Sequence, residues 1–272
     1  MIDIDVVLSG GASNCVGLTA AAFALQKKHR IARIAGTSAG SLGALSVAFG
    51  LAADDAKRLF LTWLRDNRLL DGNPINVPKR FGYCAGENLR RALSDTLGKD
   101  AKLGDSLMPV FVVVTDMYES KPVVLTSWDH PNVSAVDAGV ASSALLPVFG
   151  AQTIRGSDRG NRLFFDGGFS KNFAMDVFDD VPSRPTVGVR VKNNASVEPV
   201  RSWEFLKAAK AVGRAMLYSS DNAYLSTKKD ATILEVEGGD GLDFSLQSAE
   251  IERRWACGWV AGMRYNGSHV RF

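Results

Sequence analysis

A chain of 272 residues with 46% hydrophobic content and a formal charge of only +3 is long enough to bury a full core and too evenly composed to be disordered or fibrous. That mild positive balance gives no argument for nucleic-acid binding and permits attraction to anionic lipid head groups. Three cysteines, Cys15, Cys84 and Cys257, stand at wide, unpatterned spacing and are expected as reduced thiols of a cytoplasmic protein, with neither a disulfide framework nor a metal site. The opening Met-Ile-Asp-Ile-Asp shows no signal-peptide pattern, and no run reaches the about 18 apolar residues of a membrane span, so any membrane contact is expected to be peripheral.

In chain order, Ile4 to Leu8 reads as a strand ending in Ser9-Gly10-Gly11, and Val16 to Gln26 as an Ala/Leu-rich helix. The basic run Lys27, Lys28, His29 and Arg30 reads as a solvated connection. A second unit follows the same plan, with a strand from Ile31 to Ala35, a tight turn from Gly36 to Gly40 and a helix from Ser41 to Leu51. Helical spacing recurs over Ala53 to Asp66 and Gly86 to Leu97, separated by a loop from Asp71 to Pro78; Phe60 and Trp63 fall on the stripe expected to face the core. Pro109 to Thr115 is a β-branched run suited to a buried strand, followed by a strand from Val123 to Thr126 and a helix from Val136 to Ser143. Leu163 to Phe165 forms a short strand ending at Asp166-Gly167-Gly168, and Val187 to Val191 another strand. A helix from Ser202 to Tyr218, a strand from Thr232 to Val236 and a helix from Ser248 to about Met263 complete the pattern. Such alternation predicts one α/β domain with a largely parallel central sheet and helices on both faces.

The segment Gly36-Thr37-Ser38-Ala39-Gly40 fits G-x-S-x-G where a strand turns into a helix, a context that exposes a serine Oγ beside helix N-terminal amides. Taken alone, the pattern also describes a close-packing turn. A second glycine-rich turn, Gly10-Gly11-Ala12-Ser13-Asn14, ends the preceding strand and offers backbone N–H groups unobstructed by side chains, as an oxyanion hole requires. Its spacing does not fit G-x-G-x-x-G, which argues against a nucleotide-binding turn. Neither His29, His130 nor His269 lies in a glycine-flanked strand-end turn, so a histidine base is not expected. Asp166 does, although an Asp-Gly turn is the plain reading of that dipeptide. Asp116 reads either as a strand-end acid or as part of a surface turn.

Taken together, Ser9-Gly10-Gly11, Gly36-Thr37-Ser38-Ala39-Gly40 and Asp166-Gly167-Gly168, in that order, resemble the motifs of the patatin-like phospholipase family. Val112-Val113-Val114-Thr115-Asp116 is similar to its central strand, Ala141-Ser142-Ser143-Ala144-Leu145-Leu146-Pro147-Val148-Phe149 to its Ala-Ser-x-Ala-x-Pro block, and Leu242-Asp243-Phe244 to a late segment of family members. The resemblance implies a patatin-like three-layer sandwich over residues 1–272, with a lid-like helical segment at about 53–97. It implies a phospholipase A or lysophospholipase that cleaves fatty-acyl esters through an acyl-enzyme on Ser38, with Asp166 as base. Gly10, Gly11 and Ala12 would form the oxyanion hole, supported by Gly36, Gly40, Gly167 and Gly168. No metal or cofactor is implied; the partners are a phospholipid or lysophospholipid, with room for a homo-oligomer or an activator and no nucleic acid. Ala12, Asn14 and Cys15 stand where the family usually has glycine, a basic residue and glycine. That departure keeps open a weakly active or non-catalytic lipid-binding module, and an acyltransferase or thioesterase would use the same dyad.

Overall fold

The structure, a computed structural model, describes residues 1–65, 69–180, 184–192, 232–241 and 243–267. The helix expected over Ser202 to Tyr218 and His269 lie outside the described residues. Strand β1 (Asp3–Leu8) leads through the first glycine turn into helix α1 (Cys15–Lys28), and β2 (Arg30–Thr37) leads through the second into α2 (Ala39–Ala48). Helix α3 (Ala53–Trp63), the single turn α4 (Val77–Arg80) and α5 (Glu87–Leu97) follow. Then come β3 (Val110–Asp116), β4 (Lys121–Thr126), α6 (Ala135–Ser142), β5 (Phe164–Asp166) and the short α7 (Gly168–Lys171). Strands β6 (Thr186–Lys192) and β7 (Thr232–Glu237) and helix α8 (Ser248–Arg264) complete the described elements.

The strands form one sheet in the order β4-β3-β2-β1-β6-β7, with β5 also pairing with β3. Pairings β1–β2, β1–β6, β2–β3 and β6–β7 are parallel, as the alternation of strands and helices predicts. Strands β4 and β5 instead run antiparallel to β3. β4 does so because a short turn joins it to β3, which no parallel crossover could accomplish. That turn is organised by Asp116, whose buried carboxylate accepts the amides of Tyr118 and Glu119 and pairs with Arg159 and Arg162. Burial would raise Asp116, but these amides and the Arg162 guanidinium outweigh it and hold the carboxyl below its usual range.

Successive residues of each strand separate onto two faces. Val6, Leu8, Ile34, Val110, Val112 and Val114 join the main core with helices α1, α2, α6 and α8, and each fully buried aliphatic side chain there contributes roughly 1.5–3 kcal/mol. Val7, Ala35 and Phe111 face the other way, onto Phe173 and onto Met175 and Phe178 of the 3-10 turn that follows it. Helix α1 is buried along most of its length and packs against α8 at close range. A Cβ at Gly258 would stand 2.0 Å from the Gly17 carbonyl, and one at Gly262 would stand 2.4 Å from that of Ala21, so the two helices run parallel, backbone to backbone.

Phe60 and Trp63 sit in the core with Ala56, as their stripe predicts. The expected loop from Asp71 to Pro78 is partly helical, because Asn73 accepts the Ile75 amide and Pro74 presets the first helical dihedral. The connection from Lys27 to Arg30 is solvated except at His29, whose ring is buried against Tyr265.

Candidate active site

β2 pairs with β3 up to Thr37 opposite Val113, and β5 takes over the next position with Asp166 opposite Val114. The antiparallel turn of β5 therefore delivers Asp166 to the point where the chain leaves β2 at Ser38. Gly167 lets the two segments meet, since a Cβ there would lie 2.3 Å from the Val113 carbonyl oxygen and 3.1 Å from Thr37 Cγ2.

Ser38 adopts φ 51° and ψ −122°, a conformation that an L residue reaches only under strain. It occupies the N-cap of α2, where a serine ordinarily caps its own helix. Its hydroxyl instead donates to Asp166 Oδ2 at 2.6 Å. The backbone around it is fixed from several sides. Ser38 N–H donates to Ser142 Oγ at 2.8 Å, Ser142 Oγ donates to the Val113 carbonyl at 2.6 Å, and Ser41 Oγ donates to the Ser38 carbonyl at 2.6 Å.

Asp166 is buried, its Oδ1 accepting the Gly168 amide at 2.7 Å and its amide donating to the Ala144 carbonyl. Burial pushes its carboxyl up from 3.8 to about 7, against the opposing pull of the Ser38 hydroxyl and the Gly168 amide. The resulting group exchanges a proton near neutral pH while in contact with a hydroxyl.

The first glycine turn closes on this pair. A Cβ at Gly10 would stand 3.4 Å from Ser38 Cβ and would collide with the Asn172 side chain; one at Gly40 would lie 2.5 Å from the carbonyls of Leu8 and Ser9. Gly36 is equally constrained, since a Cβ there would lie 2.3 Å from the Gly40 carbonyl oxygen. Of the three amides expected to face an oxyanion, that of Gly10 is committed to the Asn172 carbonyl at 3.0 Å. The backbone pairing of strand end and α7 takes this donor. The Gly11 and Ala12 amides have no carbonyl partner among the described residues.

Ala12 holds φ 48°, a left-handed conformation in which its methyl group is strained. Ala12→Gly is expected to stabilise the protein by about 0.5–1 kcal/mol, the relief of strain exceeding the added freedom of the unfolded chain. A denaturant midpoint below that of the wild type would contradict this.

Both described histidines lie away from the dyad. His29 precedes β2 at the end opposite Ser38, and His130 Nδ1 accepts the Thr126 amide at the end of β4 that pairs with the start of β3. The three cysteines are free. Among the described residues, no group of three His, Cys, Asp or Glu side chains is arranged to hold a metal ion, and no helix is long and apolar enough to cross a membrane.

Sequence reasoning named Ser38, Asp166 and the glycines, and the fold brings them together. It did not single out Ser142, Thr115 or Asn172. Ser142 lies in the Ala-Ser-x-Ala block, whose serine was the available signal; Thr115 Oγ1 donates to the Asp166 carbonyl at 2.9 Å, and Asn172 links the end of α7 to Gly10.

Protein comparisons agree with this architecture. YqhO of Bacillus subtilis (strain 168), itself described as uncharacterized, is 25% identical over an alignment 218 residues long that covers 73% of this chain and 75% of that protein. VipD from Legionella pneumophila superposes with a TM-score of 0.61 at 14% identity, covering 96% of this chain and 66% of VipD, just under two thirds of its length, and so shares the fold. Residues 6–179 match the patatin-like phospholipase family, a stretch that begins within β1 and contains both glycine turns, Ser38 and Asp166. With more than half of its length matched, and with the sheet that carries those residues, the chain belongs to the patatin-like phospholipase family.

Proposed function

We propose that the protein hydrolyses fatty-acyl esters of phospholipids or lysophospholipids through a covalent acyl-serine on Ser38. The observation that carries this reading is the 2.6 Å hydrogen bond from Ser38 Oγ to a buried carboxyl poised at about 7. Asp166 takes the Ser38 proton as Oγ attacks the acyl carbonyl, and the tetrahedral oxyanion is held by the Gly11 and Ala12 amides beside the N-terminus of α2. Collapse expels the lysolipid or glycerol oxygen, which leaves with the proton from Asp166. The carboxylate then draws a proton from water as that water attacks the acyl-serine, and returns it to Ser38 Oγ as the acyl C–O bond breaks, releasing the fatty acid and restoring the hydroxyl. Gly10 serves by lacking a side chain, and Gly36, Gly40, Gly167 and Gly168 by letting the turns approach.

The whole chain acts as one domain in this reading, and free thiols suit the cytoplasm. The lid-like role falls to the surface part of the 53–97 segment. Ile75, Val77, Phe81 and Tyr83 are exposed there beside Lys79 and Arg80, an apolar and basic combination suited to peripheral contact with an anionic lipid surface.

A fluorophosphonate probe tests the nucleophile directly, because it traps an activated serine in a tetrahedral adduct. Peptide mass spectrometry should find the adduct on Ser38. An unlabelled Ser38, under conditions that label a reference serine hydrolase fully, would favour a non-catalytic lipid-binding module.

A further inference from the structure

Helix α8 presents Arg254, Gly258 and Gly262 to α1 along one stripe of successive i, i+4 positions. The two glycines bring the helices together and Arg254, one turn earlier, is carried to the N-terminal end of α1, under the turn from Gly10 to Asn14. Its side chain is 3% exposed. Nη1 donates to Asn14 Oδ1 at 2.9 Å and to Ser13 Oγ at 3.1 Å, and Nε donates to Glu250 Oε1 at 2.8 Å. The same two residues are tied to the segment after β7. Asn14 Oδ1 also accepts the Gly239 amide at 3.0 Å, and the Ser13 amide donates to the Gly241 carbonyl at 2.8 Å.

Stability alone gives little reason for this placement. A cation is favoured at a helix C-terminus, whereas this guanidinium lies at the positive end of α1. Its carboxylate partner, Glu250, is 31% exposed and is shared with Arg253. A buried ion of this kind can often be exchanged for an apolar side chain without loss of stability. What the arginine does achieve is to fix the two residues that follow Gly11 and Ala12, and to add positive potential behind their amides.

We propose that Arg254 is a positioning residue of the reaction: it clamps Ser13 and Asn14 so that the Gly11 and Ala12 amides face the developing oxyanion. This rests on the reading of Ser38 as nucleophile. A donor displaced by about 1 Å can cost on the order of 100-fold in rate, so the effect belongs in kcat.

The test measures kcat and KM for p-nitrophenyl butyrate, with melting curves, for wild type, Ser38→Ala, Arg254→Met, Arg254→Lys and Arg253→Met. Arg253 shares Glu250 but stays on the outer side of the helix, so its variant disturbs the same ion pair without disturbing the turn. Arg254→Met should lower kcat by about 10- to 100-fold with KM within about twofold, Arg254→Lys should recover part of the loss, and Arg253→Met should match wild type. Equal kcat in Arg254→Met and Arg253→Met, with the wild type active and Ser38→Ala inactive, overturns the positioning role and leaves the nucleophile standing. Hydrolysis by the wild type that does not depend on Ser38, or none at all, removes both. If Arg254→Met does not fold, Arg254→Lys decides: kcat reduced at constant KM supports the clamp, and an unchanged kcat overturns it.

Discussion

Ser38→Ala is expected to lower kcat for phospholipid ester hydrolysis by about 1,000-fold or more, while the variant stays folded. The size of the effect follows from the proposed role, since the alanine would leave Asp166 without the hydroxyl that it holds at 2.6 Å. Fold retention follows from what holds the turn. The Ser38 amide and carbonyl keep their bonds to Ser142 and Ser41, and only the hydroxyl bond to Asp166 is lost, a change of about 1 kcal/mol. Removal of that bond also takes away the largest influence lowering Asp166, so its carboxyl stays protonated to higher pH in the variant. Wild-type-like release of fatty acid by Ser38→Ala would remove Ser38 from the mechanism.

Asp166→Asn is nearly isosteric and cannot accept the serine proton, so a loss of about 1,000- to 10,000-fold in kcat is expected. In the wild type, kcat/KM should rise with pH through about 7 as the carboxyl ionises. Stability carries the opposite dependence. The folded value of about 7 lies above the ordinary 3.8, so the folded chain holds a proton that the unfolded chain releases in between. Its stabilising contribution is full below 3.8 and is lost as pH rises through about 7. An asparagine removes the buried charge, and Asp166→Asn should therefore melt above the wild type at pH 8, by a margin worth on the order of 4 kcal/mol, with the two curves converging near pH 4. Retained turnover, or a margin that grows toward acid, would show that Asp166 is not the buried base described.

Much of this was legible in the residues because it depends on local requirements. Each glycine turn follows a strand and opens a helix, and only a glycine fits where Gly40 abuts the end of β1 or Gly167 crosses Thr37. What the residues did not disclose depends on pairings between distant segments. A reader of Leu163 to Phe165 sees a short strand, but not that it runs antiparallel to β3 and continues the ladder where β2 leaves it. The same holds for Ser142, which is one serine among several until α6 brings it under the Ser38 amide, and for Asn172, whose carbonyl withdraws Gly10 from the donors. Arg254 lies 240 residues from the Asn14 it holds, and only the glycine stripe on α8 brings the two together. The charged neighbours of His29 point to a solvated residue, whereas its ring is buried against Tyr265 beneath them.

The most direct measurement is the release of fatty acid and lysolipid from mixed phospholipid vesicles, read by mass spectrometry, for wild type beside Ser38→Ala. Release by the wild type that disappears in the variant is the predicted result, and the identities of the products would give the head group and the ester position. Equal release by both proteins, or none by a wild type whose Ser38 also resists a fluorophosphonate, would contradict the account.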